Sequence, residues 1–334
     1  MSATIRPADF PQPVRTQPGI GGAAVAAVGV SLPETVVHSS EIEARFGLEP
    51  GWIERRTGIR ERRVALPGER IDAHSAIAVE RALARAGVDP RDVDLVVAAT
   101  TTADEVLPNL APLVAHAIGA SRAGAFDVGS ACSGFLSALS TGTAMIDSGR
   151  ADCVVVLGAD FMSRLIDPVD RGTSAVFADG AGAVVLLATG ESRIGPVILG
   201  SAGDTESVIC ISRDDHLIRM AGHETFKVAV ARLSQATEEA AAAAGVGLDE
   251  IDLFVYHQAN SRILAAVGER LGLAEERVVD CIAELGNTSA ATLPLALEHS
   301  VNIGRLHAGD RVLLSAFGAG FTWGATVLEW GVTA

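Results

Sequence analysis

The second half of this sequence repeats the first, and the repeat limits the folds that the chain can adopt. The segment ARAGVDPRDVDLVVAATT begins at Ala84, and the related segment AAAGVGLDEIDLFVYHQA begins at Ala242, an offset of 158 residues. The same offset places Val154 on Val312, and a third match, of an Ala-Leu pair, lies between these two. Matches at one offset, with no insertion between them, indicate an internal duplication rather than chance.

Each copy of the repeat has the pattern of a helix, a strand, a connection, a second helix and a second strand. Such units form a mainly parallel or mixed sheet covered by helices, so we predict an α/β fold with two halves about a pseudo-twofold axis. In the first half, apolar runs predict strands at 23–30, 93–99 and 153–157, and helical periodicity predicts a helix over 71–87. The glycines of FADGAGAVVLL, at 177–187, predict a tight hairpin or a bulge leading into a strand.

The segment AFDVGSACSGFLSALSTGTAMIDSG, residues 125–149, places a thiol at a strand-to-helix turn. A short apolar run is followed by small residues and by Cys132, after which apolar residues recur at helical spacing as far as Gly149. Because a helix N-terminus stabilises anions, this position predicts a lowered pKa for the Cys132 thiol and a nucleophilic role. The alternative is a buried cysteine that packs as a small hydrophobic side chain.

The ends and the composition of the chain argue against several classes of protein. Residues 1–22 contain four prolines among polar residues and predict a disordered tail, which leaves 23–190 and 191–334 as the two halves. No apolar run approaches the length of a membrane span, and the net charge of −15 argues against nucleic acid or an anionic membrane as the main partner. The four cysteines have neither metal-ligand spacing nor a disulfide framework, so we expect no metal and a reducing, cytoplasmic compartment.

Two polar residues of the second half occupy positions that match the reactive end of the first. His257 follows a predicted strand in FVYHQAN, and Asn287 precedes a predicted helix in ELGNTSAATLPLAL. Each alone has a commoner structural explanation, as a satisfied histidine or a helix-capping asparagine. The offset, however, places Ala99 opposite His257 and Ala290 opposite Cys132. His257 and Asn287 can both donate to one carbonyl oxygen, which is what formation of an enolate needs.

Four motifs give the chain a specific resemblance to a known family. SACSGF around Cys132, HQAN at 257–260, GNTSAA at 286–291 and FGAGFTWG at 317–324 resemble β-ketoacyl-acyl carrier protein synthase III, over nearly the whole chain after the tail. The resemblance implies the thiolase fold, a duplicated α/β structure in αβαβα layers, as a homodimer. It also implies decarboxylative Claisen condensation of an acyl-CoA primer with malonyl-acyl carrier protein. The product would be 3-oxoacyl-acyl carrier protein, which initiates fatty acid or polyketide synthesis.

The resemblance also implies a role for each candidate catalytic residue. Cys132 would take the acyl group as a thioester. His257 and Asn287 would bind the malonyl thioester carbonyl and stabilise the enolate that loss of CO2 leaves. The oxyanion hole would use the N–H groups of Cys132 and Ala319.

Substrate and partner binding are implied in the same way, and acyl-CoA enters as a substrate rather than as a cofactor. Trp52 and Arg56 resemble the pair that sandwiches the CoA adenine by stacking. The remaining CoA and pantetheine contacts would be Arg171, Gly222, Phe226 and Asn260. A local basic patch for the acidic carrier protein would comprise Arg60, Lys227, Arg262 and Arg270.

Three departures from the family pattern concern the acyl pocket and its entrance. The pocket would include Phe317 and Leu107, and Leu107 stands where several members have Phe at the end that the dimer partner contributes. Segment 199–221, which caps the entrance, is shorter than in many members, and His223 replaces an Asn of some relatives. We therefore expect an open pocket in which medium or branched acyl-CoA competes well with acetyl-CoA.

Other functions remain open on the sequence alone. A thiolase-fold acyltransferase would move the acyl group to a hydroxyl or amine of a natural product, but such relatives tend to lack the asparagine that Asn287 provides. A thiol hydrolase also uses Cys, His and Asn in this order, yet the duplication argues against it. A non-catalytic partner subunit would have lost the nucleophile, and Cys132 is present.

Overall fold

Two sheets organise the part of the chain that the computed structural model describes, residues 22–203 and 208–331. The first half supplies strands β1 (Gly22–Ser31), β2 (Val36–His38), β3 (Glu61–Arg63), β4 (Leu95–Ala99), β5 (Gly124–Val128), β6 (Cys153–Phe161) and β7 (Asp179–Thr189). Its five-stranded sheet has the order β1-β7-β6-β4-β5, and β2 pairs with β3 separately. Strands β4 and β6 are buried along their whole length and are apolar except for Asp160, which suits parallel neighbours in the middle of a covered sheet.

The second half repeats this arrangement with fewer strands. It supplies β8 (Ile198–Ser201), β9 (Ile209–Ile211), β10 (Ile218–Met220), β11 (Leu253–Tyr256), β12 (Arg311–Gly318) and β13 (Thr322–Glu329). The four-stranded sheet has the order β11-β12-β13-β8, and β9 and β10 form a separate hairpin. The parallel pair β11/β12 and the antiparallel pair β12/β13 correspond to β4/β6 and β6/β7.

The helices cover both sheets on both faces. They are α1 (Ser39–Phe46), α2 (Trp52–Thr57), α3 (Ile71–Ala86), α4 (Leu110–Ala117), α5 (Gly134–Asp147), α6 (Arg171–Ser174), α7 (Gly222–Ala244), α8 (Ser261–Leu271), α9 (Ile282–Leu285) and α10 (Thr292–Asn302). Helices α5 and α10 share one hydrophobic core with the inner faces of both sheets. Helices α3 and α4 cover the outer face of the first sheet, and α7 and α8 that of the second. The layers are therefore αβαβα.

The glycines at 177–187 have a different role from the predicted one. The prediction of a hairpin or bulge there is wrong, because β7 runs without interruption through Gly180 and Gly182. A Cβ on Gly182 would lie 2.8 Å from the ring of Pro294, so this glycine lets α10 approach the sheet closely. The irregularity in this strand pair lies in β1, between Val25 and Ala27.

The predicted tail and the connection between the two halves can be compared with the structure. Residues 1–21 of the predicted tail lie outside the described residues, and Gly22, its predicted last residue, already belongs to β1. The chain passes from one sheet to the other between Thr189 and Ile198. Among the helices of the described ranges, none is both long and apolar enough to cross a membrane.

Candidate active site

Cys132 lies at the corner between β5 and α5. The corner is a 3-10 turn, Ala131–Ser133, which runs directly into Gly134 of α5. The predicted order of strand, tight turn and buried helix is therefore confirmed, although the thiol precedes α5 rather than lying in it. Ala131 has φ +46°, a left-handed conformation that costs a residue with a Cβ about 1 kcal/mol, so the surroundings must hold this corner.

The matching corner of the second half carries Asn287. Ser289–Ala291 form a 3-10 turn that runs into Thr292 of α10, and Ser289 has φ +51°. The offset of 158 residues places Ala131 on Ser289, so both copies bend in the same unusual conformation. Two equivalent corners, one from each half, thus face the middle of the molecule.

One narrow cavity, of about 50 Å³, connects the two corners. Its walls include Cys132, His257, Asn287, Phe317 and Ala319. The structure therefore brings the three predicted catalytic residues together, with one predicted residue of the oxyanion hole and one of the acyl pocket. Apolar surface makes up most of the exposed wall, which strengthens polar interactions inside.

His257 is a neutral imidazole in this site. It follows β11, is 1% exposed, and its ring meets the Phe317 ring edge-on at 5.6 Å. Burial lowers the pKa of His257 to about 3, so the ring carries one N–H at neutral pH. Its Nδ1 has no hydrogen-bond partner among the described residues. The ring is therefore suited to donate a hydrogen bond rather than to carry a charge.

Asn287 is oriented by its own turn. The N–H of Ser289 donates to Asn287 Oδ1 at 3.0 Å, which leaves the Nδ2 amino group as the donor available to the cavity. The Asn287 backbone donates to Val176 O at 3.0 Å and accepts from Ala178 N at 2.9 Å. These bonds tie the second-half corner to the first half.

Burial dominates the electrostatics of the nucleophile. It raises the pKa of the Cys132 thiol to about 12, while the Ser289 hydroxyl and the thiol's own backbone N–H act in the opposite direction. The negative charge of Asp160 raises it further. The expectation of a lowered pKa is therefore not confirmed, because removal from water outweighs the start of the helix.

The backbone at Gly318 lies very close to the Cys132 corner, where the oxyanion hole is predicted. A Cβ on Gly318, at the end of β12, would lie 2.8 Å from the backbone nitrogen of Cys132 and 3.1 Å from that of Ser133. Glycine is therefore required for the β12–β13 turn to reach the Cys132 corner. The turn continues through Ala319, which lines the cavity beside the thiol.

Three of the residues predicted to hold coenzyme A, Arg56, Arg171 and Asn260, lie around Trp52, the first residue of α2. The guanidinium carbons of Arg56 and Arg171 lie 4.5 and 5.7 Å from the Trp52 ring centroid. Asn260, the N-cap of α8, donates from Nδ2 to Arg56 O at 3.1 Å. The two remaining residues predicted to bind coenzyme A lie at the start of α7. Gly222 is its first residue and is exposed, and Phe226 is half-buried.

The predicted carrier-protein residues are all exposed. Lys227 lies on α7, and Arg262 and Arg270 lie on α8. Arg60 follows α2, and its Nη2 lies 3.6 Å from Glu284 Oε1. Whether these cations act together as one docking surface stays a prediction.

Of the two residues predicted for the acyl pocket, Phe317 lines the cavity. Leu107 is 76% exposed and lies outside the cavity wall of its own chain, so its place in the pocket of a dimer partner stays a prediction. The short segment before α7 does not leave the cavity uncovered, because its β9–β10 hairpin places Ile209, Ile211 and Ile218 in the wall. Sequence reasoning missed these isoleucines, although the alternation of Ile209 and Ile211 in VICI was an available signal.

Comparisons with known proteins agree with this site. The family described as 3-oxoacyl-[acyl-carrier-protein (ACP)] synthase III matches residues 126–203, and its C-terminal part matches residues 241–330. A β-ketoacyl-[acyl-carrier-protein] synthase III of Streptomyces coelicolor is 44% identical, over 93% of this chain and 95% of the relative. One from Chelativorans sp. is 41% identical, over 92% and 98%. The chain belongs to the β-ketoacyl-acyl carrier protein synthase III family.

Solved structures confirm the thiolase-type fold. The 3-oxoacyl-[acyl-carrier-protein] synthase III of Aquifex aeolicus superposes with a TM-score of 0.89 at 38% identity, covering 92% of this chain and all of that one (100%). The priming β-ketosynthase of a polyketide biosynthetic pathway gives 0.91 at 36% identity, over 96% and 99%. The similarity thus spans both halves.

Proposed function

We propose that this enzyme condenses an acyl-CoA primer with malonyl-acyl carrier protein, with loss of CO2, to give 3-oxoacyl-acyl carrier protein. The observation that carries the proposal is the single buried cavity shared by Cys132, His257 and Asn287. It joins a nucleophile to a pair of donors that can hold one carbonyl oxygen. The names of the relatives, one of them a priming ketosynthase of polyketide synthesis, support the same reaction.

The first step transfers the acyl group to the enzyme. Cys132 Sγ attacks the thioester carbonyl of acyl-CoA, the bond from that carbonyl to the coenzyme A sulfur breaks, and the thiol proton passes to the departing sulfur. The N–H groups of Cys132 and Ala319 stabilise the oxyanion of the tetrahedral intermediate. Because burial raises the pKa of the thiol, these donors and the Ser289 hydroxyl must favour the thiolate as the substrate arrives.

The second step uses the donors of the other half. The malonyl thioester carbonyl accepts hydrogen bonds from the imidazole of His257 and from Asn287 Nδ2. Loss of CO2 leaves an enolate whose negative oxygen these two donors stabilise. The enolate carbon attacks the acyl carbonyl on Cys132, the new carbon–carbon bond forms and the carbon–sulfur bond to Cys132 breaks. A neutral histidine suits this step, because a donor that stays protonated does not consume the enolate.

Substrate binding is proposed at the Trp52 cluster. The adenine would stack on Trp52 beside the Arg56 and Arg171 guanidinium groups, with the pantetheine arm passing Asn260 toward the cavity. The carrier protein would dock on the exposed cations of α7 and α8, of which Arg262 is one. With a net charge of −15, such docking is local and salt-sensitive.

We also propose a homodimer joined through β5. This strand ends the first sheet, where β4 is its neighbour on one side only. Phe126 of β5 is 41% exposed, and nearby Val106 and Leu107 are 89% and 76% exposed. An unpaired edge with exposed apolar side chains is a common interface, and a second copy there would bring its Leu107 toward the cavity.

Mass spectrometry tests the reaction and separates it from the acyl-transfer alternative. The protein is incubated with acetyl-, isobutyryl- and hexanoyl-CoA, then with malonyl-acyl carrier protein, and both proteins are weighed at each stage. We expect acylation of the enzyme, followed by 3-oxoacyl-acyl carrier protein and release of CO2. Acylation without any carbon–carbon product, together with acyl transfer to an added alcohol or amine, would favour the alternative.

A further inference from the structure

The buried carboxylate of Asp160 lies behind the site, and the reaction steps above give it no role. Asp160 is the penultimate residue of β6 and is 0% exposed. Its Oδ1 accepts hydrogen bonds from Thr101 N at 2.7 Å and from Thr102 Oγ1 at 3.0 Å. Its Oδ2 accepts from Ala290 N at 3.0 Å, which crosses from the first half to the second. The nearby Ser289 hydroxyl acts to lower the pKa of this carboxyl, against the effect of burial.

The corner that Asp160 holds is the one that orients Asn287. Ser289 adopts a left-handed φ of +51°, a conformation that a residue with a Cβ keeps only when its neighbours enforce it. The N–H of Ser289 is also the group that binds Asn287 Oδ1 and so turns Nδ2 toward the cavity. A carboxylate that accepts from Ala290 N and lies near the Ser289 hydroxyl therefore holds the corner that orients Asn287.

We propose that Asp160 is a positioning residue for the condensation step, acting through the Ser289–Ala290 corner on the Asn287 amide. The inference rests on the proposed function, since it assigns Asn287 to the enolate. Asp160 lies outside the wall of the cavity and does not touch the substrate in this account. Its role is to keep Asn287 within reach of a carbonyl oxygen that His257 already binds.

The chain offers a matched control in Asp179. This residue begins β7, is also 0% exposed, and accepts from Ala65 N at 2.7 Å and Ser163 N at 2.8 Å. Burial raises the pKa of both carboxyl groups. Asp179 has no bond to the Ser289 corner among the described contacts, so Asp179→Asn removes the same chemistry without the same connection.

The test compares Asp160→Asn with Asp179→Asn in the full-length enzyme. Decarboxylation of malonyl-acyl carrier protein and self-acylation by acetyl-CoA are measured separately, with melting temperatures for both variants. We expect Asp160→Asn to lose about 100-fold in kcat for decarboxylation, the cost of a donor displaced by about 1 Å, while self-acylation falls far less. Equal losses in both variants, tracking their stability, would overturn the proposal, as would full decarboxylation by Asp160→Asn.

A second readout needs no substrate. The charge of Asp160 opposes ionisation of Cys132, and His257, the other titratable side chain facing the thiol, is neutral. Alkylation of Cys132 by iodoacetamide in Asp160→Asn is therefore expected to reach half its maximal rate at lower pH than in the wild type. No such displacement is expected in Asp179→Asn. An unchanged pH profile of alkylation in folded Asp160→Asn would show that the Asp160 charge does not act on the Cys132 thiol. That result would count against a role for Asp160 in the site, even if the wild type proved inactive in condensation.

Ser289→Gly keeps the proposal testable if Asp160→Asn fails to fold. Glycine adopts φ +51° without strain, and the variant removes a hydroxyl that acts on both Asp160 and the Cys132 thiol. We expect decarboxylation to fall further than self-acylation, because the loss of the hydroxyl bears on both steps and the Asn287 anchor is loosened as well. Wild-type decarboxylation in this variant would count against the role of the corner, whereas an inactive wild-type enzyme would instead count against the proposed function.

Discussion

The two 3-10 corners of the duplicated fold share a backbone conformation but carry different functional groups. Cys132 and Ala290 occupy equivalent positions, each after a residue with positive φ and each before a buried helix. The offset that relates them also places Asp160 on Gly318. At the second-half corner, the Asp160 carboxylate accepts a hydrogen bond from the N–H of Ala290. In the first half the residue facing the corner is Gly318, which has no side chain to take the N–H of Cys132.

This difference shows how one duplicated turn can serve two purposes. Where the Asp160 carboxylate accepts a hydrogen bond from Ala290 N, the turn is held in place and orients Asn287. Where a glycine faces it, the same N–H stays open for a substrate oxyanion beside the thiol. We therefore expect the residues at 160 and 318 to set the different roles of the two corners, and each can be tested by substitution.

The largest expected effect comes from moving the thiol between corners. Cys132→Ala is expected to lower condensation by about 10⁴-fold or more, and peptide mapping of the wild type is expected to find the acyl group on the Cys132 peptide. Adding Ala290→Cys to that variant is not expected to restore acylation, because Ala290 is fully buried with its N–H engaged. Acylation of the new cysteine would break the comparison, and a label on Cys281 instead of Cys132 would contradict the mechanism.

The second prediction distinguishes the reaction step served by the second half from the step served by the first. His257→Ala and Asn287→Ala are each expected to lower malonyl decarboxylation by about 10³-fold, because each removes a donor from the enolate oxygen. Self-acylation is expected to survive in large part, since the oxyanion hole belongs to the Cys132 corner. Stopped reactions weighed by mass spectrometry measure both steps. If both variants lost acylation as completely as condensation, a Cys–His pair of the hydrolase type would describe the site better.

A third prediction makes the first-half corner resemble the second. Gly318→Ala adds a Cβ that would meet Cys132 N at 2.8 Å, so the turn must move away from the oxyanion hole. We expect acylation and condensation to fall together by about 10²-fold, the usual cost of one oxyanion donor. Gly190→Ala is the matched control, because no atom lies within 4 Å of its added Cβ. Retained acylation in Gly318→Ala would show that the hole lies elsewhere.

Much of the fold could be predicted because the duplication is written in local patterns. The buried strands β4 and β6, the helix α3 and the Cys132 corner all follow from apolar spacing within single segments. The corresponding positions of His257 and Asn287 followed from the offset alone. What brings them into one cavity is the direct packing of the two corners, Ala131–Ser133 and Ser289–Ala291, against each other, which the pseudo-twofold arrangement implies.

The predictions that failed depended on contacts distant in sequence. The glycines of β7 look like turn residues until Pro294 is placed against Gly182. The pKa of Cys132 was predicted from its helix, but burial by other elements decides it. The offset of 158 residues places Asp160 on Gly318, and this was the available signal for Asp160. Asp160 itself, however, lies in none of the four motifs. A side chain that acts through another is not visible in local spacing.

The halves also differ at the sheet edge, and the smallest predicted effect follows from that difference. The first sheet ends in the strand β5, whereas the second has only a single bridge, Phe254 to Val278, on the corresponding side of β11. At this side of the sheet, the first half therefore offers a strand edge to a second copy, beside the exposed Leu107. We expect size-exclusion chromatography with light scattering to report a dimer.

In that dimer Leu107 of the partner would border the acyl pocket, and its size would influence primer choice. Each methylene buried in an apolar pocket contributes about 0.8 kcal/mol, or roughly fourfold in kcat/KM. We expect isobutyryl- or hexanoyl-CoA to compete well with acetyl-CoA, and Leu107→Phe to restore a short-chain preference by about 4- to 15-fold. Competition assays with the three acyl-CoAs, read by the mass of the acylated enzyme, measure this preference.

The isoleucines of the β9–β10 hairpin oppose this effect, because they narrow the same cavity to about 50 Å³. Ile211→Val provides the control, since it removes one methylene from the wall within a single chain. It is expected to favour longer primers by about fourfold whether or not the chain dimerises. Leu107→Phe acts on the cavity only through a partner, so a Leu107→Phe enzyme that dimerises with unchanged preference would place the acyl tail wholly within one subunit. A strong acetyl preference in the wild type would show that the hairpin, and not Leu107, sets the size of the pocket.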